Sequence, residues 1–158
     1  MRYFILNNNI NRNYSLRKAE SGDERLLFNW TNDPIVRSAS FENKIIDFNS
    51  HQRWFKKKIN DQNVLIFIFE GKNIELGMVR FEKKKNHILL NYSLASNARG
   101  KKLASIMLKM SVNKIRNSWK NLDIFAYTLP ENIPSNRALL GAGFSLDVST
   151  KNKNLYIC

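Results

Sequence analysis

The sequence predicts a mixed α/β domain whose central sheet is mostly antiparallel and contains one locally parallel strand pair, flanked by about four helices. Three strand-length apolar runs between residues 64 and 94 are separated by short polar turns, a pattern typical of an antiparallel meander. A long apolar helical pattern then precedes the next strand, and such a crossover implies a parallel pair. At 158 residues the chain is interpreted as a single domain spanning 1–158.

The first elements follow from capping and breaking residues. An asparagine-rich stretch, 7–13, predicts a loop, and Tyr14–Lys18 predicts a short strand. Ser21 or Asp23 is a good N-cap for the helix that comes next. This helix should end before Pro34, because the residue that precedes a proline avoids the helical conformation.

The rest of the chain is assigned in the same way. Residues 37–49 predict an ordered loop, and Ser50 is the expected N-cap of a second helix. Gly141 and Gly143 are expected to stop the last helix. The later elements are meander strands at 64–69, 76–81 and 88–94, a helix over 102–119, a strand over 122–129, a short helix with Pro134 in its first turn, and hairpin strands at 144–148 and 155–158.

Composition limits the function classes. The chain has 26 basic and 13 acidic side chains and a net charge of +13, which favours anionic partners such as nucleic acid, an acidic membrane or phosphate-bearing molecules. A single cysteine, Cys158, excludes an intrachain disulfide, and with two histidines we expect no metal site. No stretch reaches the roughly 18 apolar residues of a membrane span. We expect a cytoplasmic protein without a membrane partner, and a homodimer is one open alternative for its assembly.

The most informative stretch is 90–104, where an apolar strand meets a basic turn and a helix begins at once. The turn contains Arg99, Gly100, Lys101 and Lys102. The first N–H groups of a helix have no partner within it, and the helix dipole adds partial positive charge at the same place. Together with three basic side chains, this arrangement predicts a phosphate-binding turn.

This turn and a second segment resemble the GNAT superfamily of acyl-CoA-dependent N-acetyltransferases. The family's Q/R-x-x-G-x-G/A loop maps onto residues 99–104, Arg-Gly-Lys-Lys-Leu-Ala. Its Asn-x-x-Ser segment ending in Gly-Phe maps onto Asn132, Ser135 and Gly143-Phe144. The resemblance covers residues 14 to 156. It implies the GNAT fold with a splayed parallel strand pair, and an enzyme that uses acetyl-CoA as cosubstrate and no metal.

The resemblance also implies roles for single residues. The strand before the turn would part from its parallel neighbour at a bulge, and its edge at Leu94 and Ala95 would pair with the pantetheine arm. The Leu94 amide would polarise the thioester carbonyl. Asn132 would contact the pantetheine arm, and Ser135 would fix the following helix near CoA. The backbone amides expected to hold the CoA pyrophosphate are those of Arg99, Gly100, Lys101, Lys102, Leu103 and Ala104.

Two departures from the family pattern bear on the chemistry. Lys102 stands where the family usually has glycine, and a side chain is tolerable there if φ is negative. Leu139 stands where many members carry the tyrosine that protonates the leaving thiolate. Tyr92 is a candidate proton donor or substrate contact. His51 is a candidate base relay or substrate contact, the alternative being a solvated residue in the first turn of a helix.

The front half of the chain contains the pattern Trp30-x-Asn32-Asp33-x-x-Val36-Arg37, then Ser40-Phe41, then His51-x-x-Trp54-Phe55. Within the superfamily, this pattern is similar to that of bacterial acetyltransferases that N-acetylate the 4-amino group of a UDP-linked sugar on the way to pseudaminic acid. We expect direct attack of that amine on acetyl-CoA in a ternary complex, and no nucleic-acid partner. The residues it assigns to acceptor binding are Trp30, Asn32, Arg37, Phe41, His51, Trp54 and Arg80. Two alternatives stay open: a ribosomal-protein-type N-terminal or small-amine acetyltransferase, and a basic nucleic-acid-binding module.

Overall fold

The computed structural model describes residues 13–158, so the predicted loop at 7–13 lies outside the described residues except for Asn13. The described strands are β1 Tyr14–Lys18, β2 Val64–Gly71, β3 Ile74–Lys83, β4 His87–Leu94, β5 Asp123–Thr128, β6 Ser145–Ser149 and β7 Asn154–Ile157. The described α-helices are α1 Glu24–Thr31, α2 Pro34–Ser38, α3 Phe48–Ile59, α4 Leu103–Ser118 and α5 Ile133–Ala142. Short 3₁₀ helices at Ser21–Asp23 and Ser96–Ala98 precede α1 and α4.

The strands form one seven-stranded sheet in the order β1-β2-β3-β4-β5-β7-β6. Neighbouring strands are antiparallel except β4 and β5, which are parallel and are joined by the crossover helix α4. The predicted meander, the parallel pair and the closing hairpin are all confirmed. The fold class is therefore the one that the sequence predicts.

Buried side chains form two clusters on opposite faces of the sheet. Along β2, Phe67 and Phe69 belong to one cluster and Ile66 and Ile68 to the other, because successive side chains of a strand point to opposite faces. The first cluster includes side chains of α4 and α5, and the second includes side chains of α1 and α3. These two sides of the sheet are called the α4/α5 face and the α1/α3 face below.

Capping residues correct two predicted boundaries in the front half. The loop predicted over 37–49 begins later, because Asp33 accepts hydrogen bonds from the first amides of α2 and starts a further helical turn. Helix α3 begins at Phe48, and its N-cap is Asp47, whose carboxylate accepts from the Ser50 amide at 2.9 Å. Ser50 therefore lies inside the helix instead of capping it.

The two glycines near the end of α5 have different roles. Gly143 has φ +97° and is the C-cap of the helix, as predicted. Gly141 lies within α5, where a Cβ atom would come within 2.7 Å of Ser105 Oγ on α4. Its predicted role as a stop signal is wrong, because the position is set by close helix packing.

Among the residues described, no helix is long and apolar enough to cross a membrane.

Candidate active site

The parallel strands β4 and β5 part in the middle of the sheet. Their pairing ends at Leu90 and Ala126, although β4 continues to Leu94 and β5 to Thr128. On the other side of β4, the Ala95 amide donates to the Leu76 carbonyl at 2.9 Å. Because backbone groups of a strand alternate between its two neighbours, the N–H of Leu94 points away from β3 and into the gap.

Two expectations about this gap are wrong. The β3–β4 register stays constant through Leu94, so the strands part without the predicted bulge. Beyond Ala126, β5 stays paired with β7 alone, through Tyr127 and Leu155. Ala95 also does not offer a free strand edge. Its N–H donates to the Leu76 carbonyl, and its carbonyl accepts from the Ala98 amide.

The turn after β4 presents the uncapped start of a helix. Gly100 has φ +72°, and Lys102, the N-cap of α4, has φ +59° and ψ 15°. A left-handed residue followed by the helical Leu103 forms a concave nest of N–H groups. No side chain caps this end of α4, and its first turn contains no acidic residue. Its partial positive charge is therefore not neutralised by the first turn itself.

A side chain at residue 102 was expected to be tolerable only with a negative φ. The φ of Lys102 is positive, so this condition is not met. A lysine in the left-handed region costs roughly 1–2 kcal/mol relative to glycine. The exposed side chains of Lys101 and Lys102 extend from the turn, Leu103 is buried and Ala104 is half-buried. The backbone at residue 102 thus has the left-handed conformation that favours glycine, although the residue is a lysine.

The Arg99 side chain makes contacts within the protein. Its Nη2 donates to the Leu94 carbonyl at 3.1 Å and lies 3.0 Å from Asp33 Oδ1. Burial works to raise the pKa of Asp33, but the bond from Arg99 holds it below its ordinary value. This nitrogen links the end of β4 to the start of α2, and the expected phosphate contact of the guanidinium stays a prediction.

Tyr92 connects β4 to α5 beside the gap. Its hydroxyl donates to the Ser135 carbonyl at 3.2 Å. Asn132 is the N-cap of α5 and accepts from the Ser135 amide at 3.2 Å. Burial raises the pKa of Tyr92 to about 12, so its hydroxyl is protonated at neutral pH. Leu139, at the position where the family often has tyrosine, is fully buried in the core.

Sequence reasoning missed Asn136. Its Oδ1 accepts from Thr128 Oγ1 at 2.6 Å, and its Nδ2 donates to the Pro130 carbonyl at 2.9 Å. These bonds fasten α5 to the end of β5, on the side of the gap opposite β4. A threonine that ends one strand and an asparagine eight residues later form no local pattern, so the sequence offered no signal for this pair.

His51 lies in a closed aromatic cluster between α1 and α3. Only 2% of the residue is exposed, and its ring contacts Phe28, Trp54 and Phe55. Its Nε2 is 3.2 Å from the Glu24 carbonyl oxygen. Burial lowers the pKa of His51, so the neutral imidazole is favoured. The alternative of a solvated histidine is wrong, and the cluster on its own explains the residue's position.

Asn32 and Arg37 hold the loop between α2 and α3, residues 39–47, mainly by contacts to its backbone. Asn32 donates to the Ile46 carbonyl at 2.8 Å and accepts from the Ile46 amide at 2.9 Å. The Arg37 guanidinium donates to three carbonyl groups and a hydroxyl, which are those of Thr31, Glu42, Lys44 and Ser40. These bonds use four of the five N–H donors of Arg37, so its predicted phosphate contact stays a prediction with one donor available for it. Trp30 is half-buried against both core clusters, and Phe41 is exposed.

Arg80 and Glu82 lie on the α1/α3 face of β3. The Arg80 guanidinium stands 5.0 Å from the centre of the Trp54 ring, and its Nε lies 2.9 Å from Glu82 Oε1. Burial works to raise the pKa of Glu82, but hydrogen bonds from Lys58 and Lys84 and the Arg80 charge lower it to about 2. Glu82 is thus a carboxylate at every physiological pH.

In residues 13–158, no group of three or more metal-ligating side chains is found.

Solved structures share this fold. A domain from Methanocaldococcus jannaschii superposes with a TM-score of 0.79 at 16% identity, covering 92% of this chain and 97% of that domain. Spermidine N-acetyltransferase from Vibrio cholerae, in complex with CoA and spermine, gives 0.78 at 19% identity and covers 92% and 94%. Aminoglycoside acetyltransferase AAC(6')-Ib, in complex with coenzyme A, gives 0.76 at 16% identity and covers 91% and 92%. At these identities the likeness concerns the fold.

The family itself is shown by the sequence. No curated protein matches this chain. The family model described as "Acetyltransferase (GNAT) domain" matches residues 14–145, which is most of the chain. This match confirms the predicted superfamily and, with it, an acyltransferase whose cosubstrate is acetyl-CoA; it does not extend to the subfamily that acts on nucleotide sugars. The chain belongs to the GNAT family of acetyltransferases.

Proposed function

We propose that this protein transfers the acetyl group of acetyl-CoA to a primary amine by direct attack in a ternary complex. One observation carries the proposal: the Leu94 N–H faces the gap between β4 and β5, next to the uncapped start of α4. An anion at the helix start and an acyl carbonyl at the strand edge would satisfy both sets of free donors at once.

In this proposal, two parts of the backbone bind different parts of acetyl-CoA. Amides of residues 100–104 bind the pyrophosphate, and the pantetheine arm enters the gap along the edge of β4. The Leu94 N–H donates to the thioester oxygen as negative charge develops there. Removing one such donor from an enzyme costs roughly 10²–10³ in kcat, so Leu94 supplies a large part of the acceleration.

The amine must lose a proton before it attacks, because an ammonium has no lone pair. We assign proton donation to the leaving thiolate to Tyr92, which is protonated at neutral pH because burial raises its pKa to about 12. The proton that the nitrogen loses after attack restores the Tyr92 hydroxyl, so the transfer yields the amide and the CoA thiol. Glu82 is a poor base, since its pKa is about 2. Cys158 is not assigned a covalent role, because direct attack of the amine on the thioester needs no acyl-enzyme intermediate.

For the acceptor, we retain a UDP-linked amino sugar as the first candidate. Its support is the resemblance of the front half of the chain, the net charge of +13 and the position of Arg80. Arg37 gives it less support, because four of its five N–H donors bind groups of nearby residues. Spermidine, an aminoglycoside and a peptide N-terminus are the other acceptors to compare. We also retain the cytoplasmic location expected from the sequence.

Charge reversal at the turn tests the cosubstrate site. Lys101→Glu is compared with Lys120→Glu, which has the same net charge but lies beyond the far end of α4, roughly 25 Å away along the 16-residue helix. Calorimetric titration with acetyl-CoA is expected to give one site in the wild type. The Kd should rise about tenfold in Lys101→Glu and stay within about twofold in Lys120→Glu.

Two outcomes would overturn the proposal. The first is no binding of acetyl-CoA by the wild type together with tight, salt-sensitive DNA binding, which would favour the nucleic-acid-binding alternative. The second is equal weakening of binding by the two charge reversals, which would place the cosubstrate away from the turn. Transfer to the four acceptors, followed as acetyl-amine by mass spectrometry, then ranks the candidate amines.

A further inference from the structure

Three cations surround one carboxylate on the α1/α3 face. Glu82 Oε2 accepts from Lys58 at 2.8 Å and from Lys84 at 3.0 Å, and Glu82 Oε1 lies 2.9 Å from Arg80 Nε. The group therefore carries two uncompensated positive charges. Buried and half-buried charges are normally paired, because desolvation of a lone charge is costly. Lys84 is exposed to water, so the surplus that burial makes costly is one charge shared by Arg80 and Lys58, which an anionic ligand would compensate.

Arg80 is the least satisfied member of this group. Its Nε is buried and lacks hydrogen-bond geometry to any acceptor in the described part of the chain, despite its short distance to Glu82. Its Nη groups donate no hydrogen bond to any of residues 13–158, and 19% of the side chain is exposed. Trp54 covers one side of the guanidinium plane at 5.0 Å. The remaining donors form the planar fork that binds phosphate or carboxylate with two parallel bonds.

The position of Arg80 relates it to the reaction site. Arg80 pairs directly with Asn91 on β4, and Leu94 lies three residues further along the same strand. This separation corresponds to about 10 Å. Ser93 pairs with Met78, a member of the α1/α3 core cluster, so the Ser93 and Asn91 side chains point to that same face. A polar strip therefore runs from the gap to Arg80.

We propose that the acceptor carries an anionic group, a phosphate or a carboxylate, that binds Arg80 with support from Lys58 and Lys84. This inference rests on the proposed function and names the chemical class of its acceptor. The acceptor amine would lie at the Leu94 gap, and the anion about 10 Å away along β4. Small polycations without an anionic group would be disfavoured, because two positive charges already face them.

A binding experiment tests the subsite without turnover. With CoA at saturation, so that the turn at α4 is occupied, UDP is titrated into the wild type, Arg80→Gln and Lys58→Gln, and glutarate serves as the carboxylate probe. The controls are Lys57→Gln, an exposed neighbour on α3, and Arg53→Gln, an exposed arginine of the same helix. We expect the Kd for the bound probe to rise about tenfold in Arg80→Gln, about threefold in Lys58→Gln, and less than twofold in the controls.

A matched pair of acceptors extends the test to catalysis. A UDP-linked amino sugar is compared with the free amino sugar that has the same amine. Arg80→Gln should lower kcat/KM about tenfold for the linked sugar and leave the free sugar within about twofold, which a general loss of structure would not do. Preference for glutarate over UDP in the titration would assign the anion as a carboxylate, in support of the same subsite.

The inference is overturned if neither UDP nor glutarate binds the wild type, or if Arg80→Gln and Lys58→Gln bind as the controls do. Should Arg80→Gln fail to fold, as judged by its thermal transition, Lys58→Gln decides alone, because Lys58 lies on the surface helix. Failure of the proposed function is a separate result. It would appear as absence of acetyl-CoA binding or of transfer to any amine, while the UDP titration would still report on Arg80.

Discussion

One nitrogen of Arg99 joins the end of β4 to the start of α2: Nη2 lies 3.0 Å from Asp33 Oδ1 and donates to the Leu94 carbonyl at 3.1 Å. The same Asp33 oxygen accepts from the Ile35 amide at 2.9 Å and from the Val36 amide at 3.3 Å at the start of α2. The position of Leu94 is therefore coupled to that of α2. This makes Arg99 a positioning residue in our account.

The first prediction follows from this link. Arg99→Gln should lower kcat by about tenfold to a hundredfold, because small displacements of a catalytic group are costly, while the KM for acetyl-CoA changes less than about threefold. Asp33→Asn should reproduce part of the effect, and Arg99→Lys should restore part of it. Steady-state kinetics at varied acetyl-CoA checks this. A large rise in KM with unchanged kcat would instead assign the Arg99 side chain to the cosubstrate phosphates.

The second prediction concerns the strained N-cap of α4. Lys102→Gly should raise the free energy of unfolding by about 0.5–1 kcal/mol, since relief of the left-handed strain exceeds the added entropy of the unfolded chain. Lys101→Gly is the matched control, because Lys101 is not among the residues with positive φ and should lose stability on the same change. Urea unfolding of both variants provides the comparison. Equal destabilisation of the two would contradict the conformation assigned to Lys102.

The third prediction concerns the strand opposite Leu94. A Cβ atom on Gly77 would approach the Ser93 carbonyl oxygen to 2.6 Å and a Leu94 methyl group to 2.9 Å. Because a backbone carbonyl has little freedom to move, Gly77→Ala should destabilise the protein by about 1–3 kcal/mol and lower activity by displacing Leu94. Gly22→Ala, with no atom within 4 Å of the added Cβ, should be close to neutral. Thermal unfolding and turnover of both variants decide the point.

The fourth prediction is a pH dependence of stability. The pKa of Glu82 is about 2 in the folded protein, against an ordinary value of 4.5. Its contribution to folding is therefore present above about pH 5 and is lost as the pH falls through about 2, by an amount on the order of 3 kcal/mol. Glu82→Gln should flatten the stability profile between these pH values. Glu75→Gln changes an exposed residue on the same strand and should keep the wild-type slope of the free energy of unfolding against pH. An unchanged slope in Glu82→Gln would contradict the ion cluster.

The fifth prediction tests the proton donor. Tyr92→Phe should lower kcat by about 10² without a comparable change in either KM, because the phenylalanine ring keeps the packing and loses only the hydroxyl. Tyr127→Phe removes an exposed hydroxyl from β5 and should act as wild type. If Tyr92→Phe turns over at the wild-type rate, the thiolate leaves without help from this residue.

The parts of the fold that depend on local patterns were predictable. The apolar runs of β2, β3 and β4, the buried helix α4 and the proline at the start of α5 are each visible within a short window of sequence. The boundary errors arose where two residues compete for one cap. Asp47 and Ser50 are both good N-caps, and only the hydrogen bond from the Ser50 amide to Asp47 distinguishes them.

The site was predictable in its backbone and not in its side chains. The location of the turn at 99–104 follows from its sequence, but the partner of each cation does not. The Arg99 guanidinium contacts Asp33, which is far away in the sequence, whereas Arg37 binds carbonyl groups of residues within seven positions of it. His51 was considered either solvated or functional, and it packs in an aromatic cluster formed by two separate helices. Such contacts between distant segments leave no periodic signal in the chain.

The most direct test of the central claim is a residue-resolved titration of the ¹⁵N-labelled protein with acetyl-CoA, followed by amide chemical shifts. Our account predicts large shifts for the Leu94 N–H and for the amides of Gly100 to Ala104. It predicts a smaller shift for Ala95, whose N–H remains bonded to the Leu76 carbonyl. Shifts confined to the surface of α3 or to the β6–β7 hairpin, or no shifts at saturating acetyl-CoA, would contradict the claim that the gap between β4 and β5 is the acetyl-transfer site.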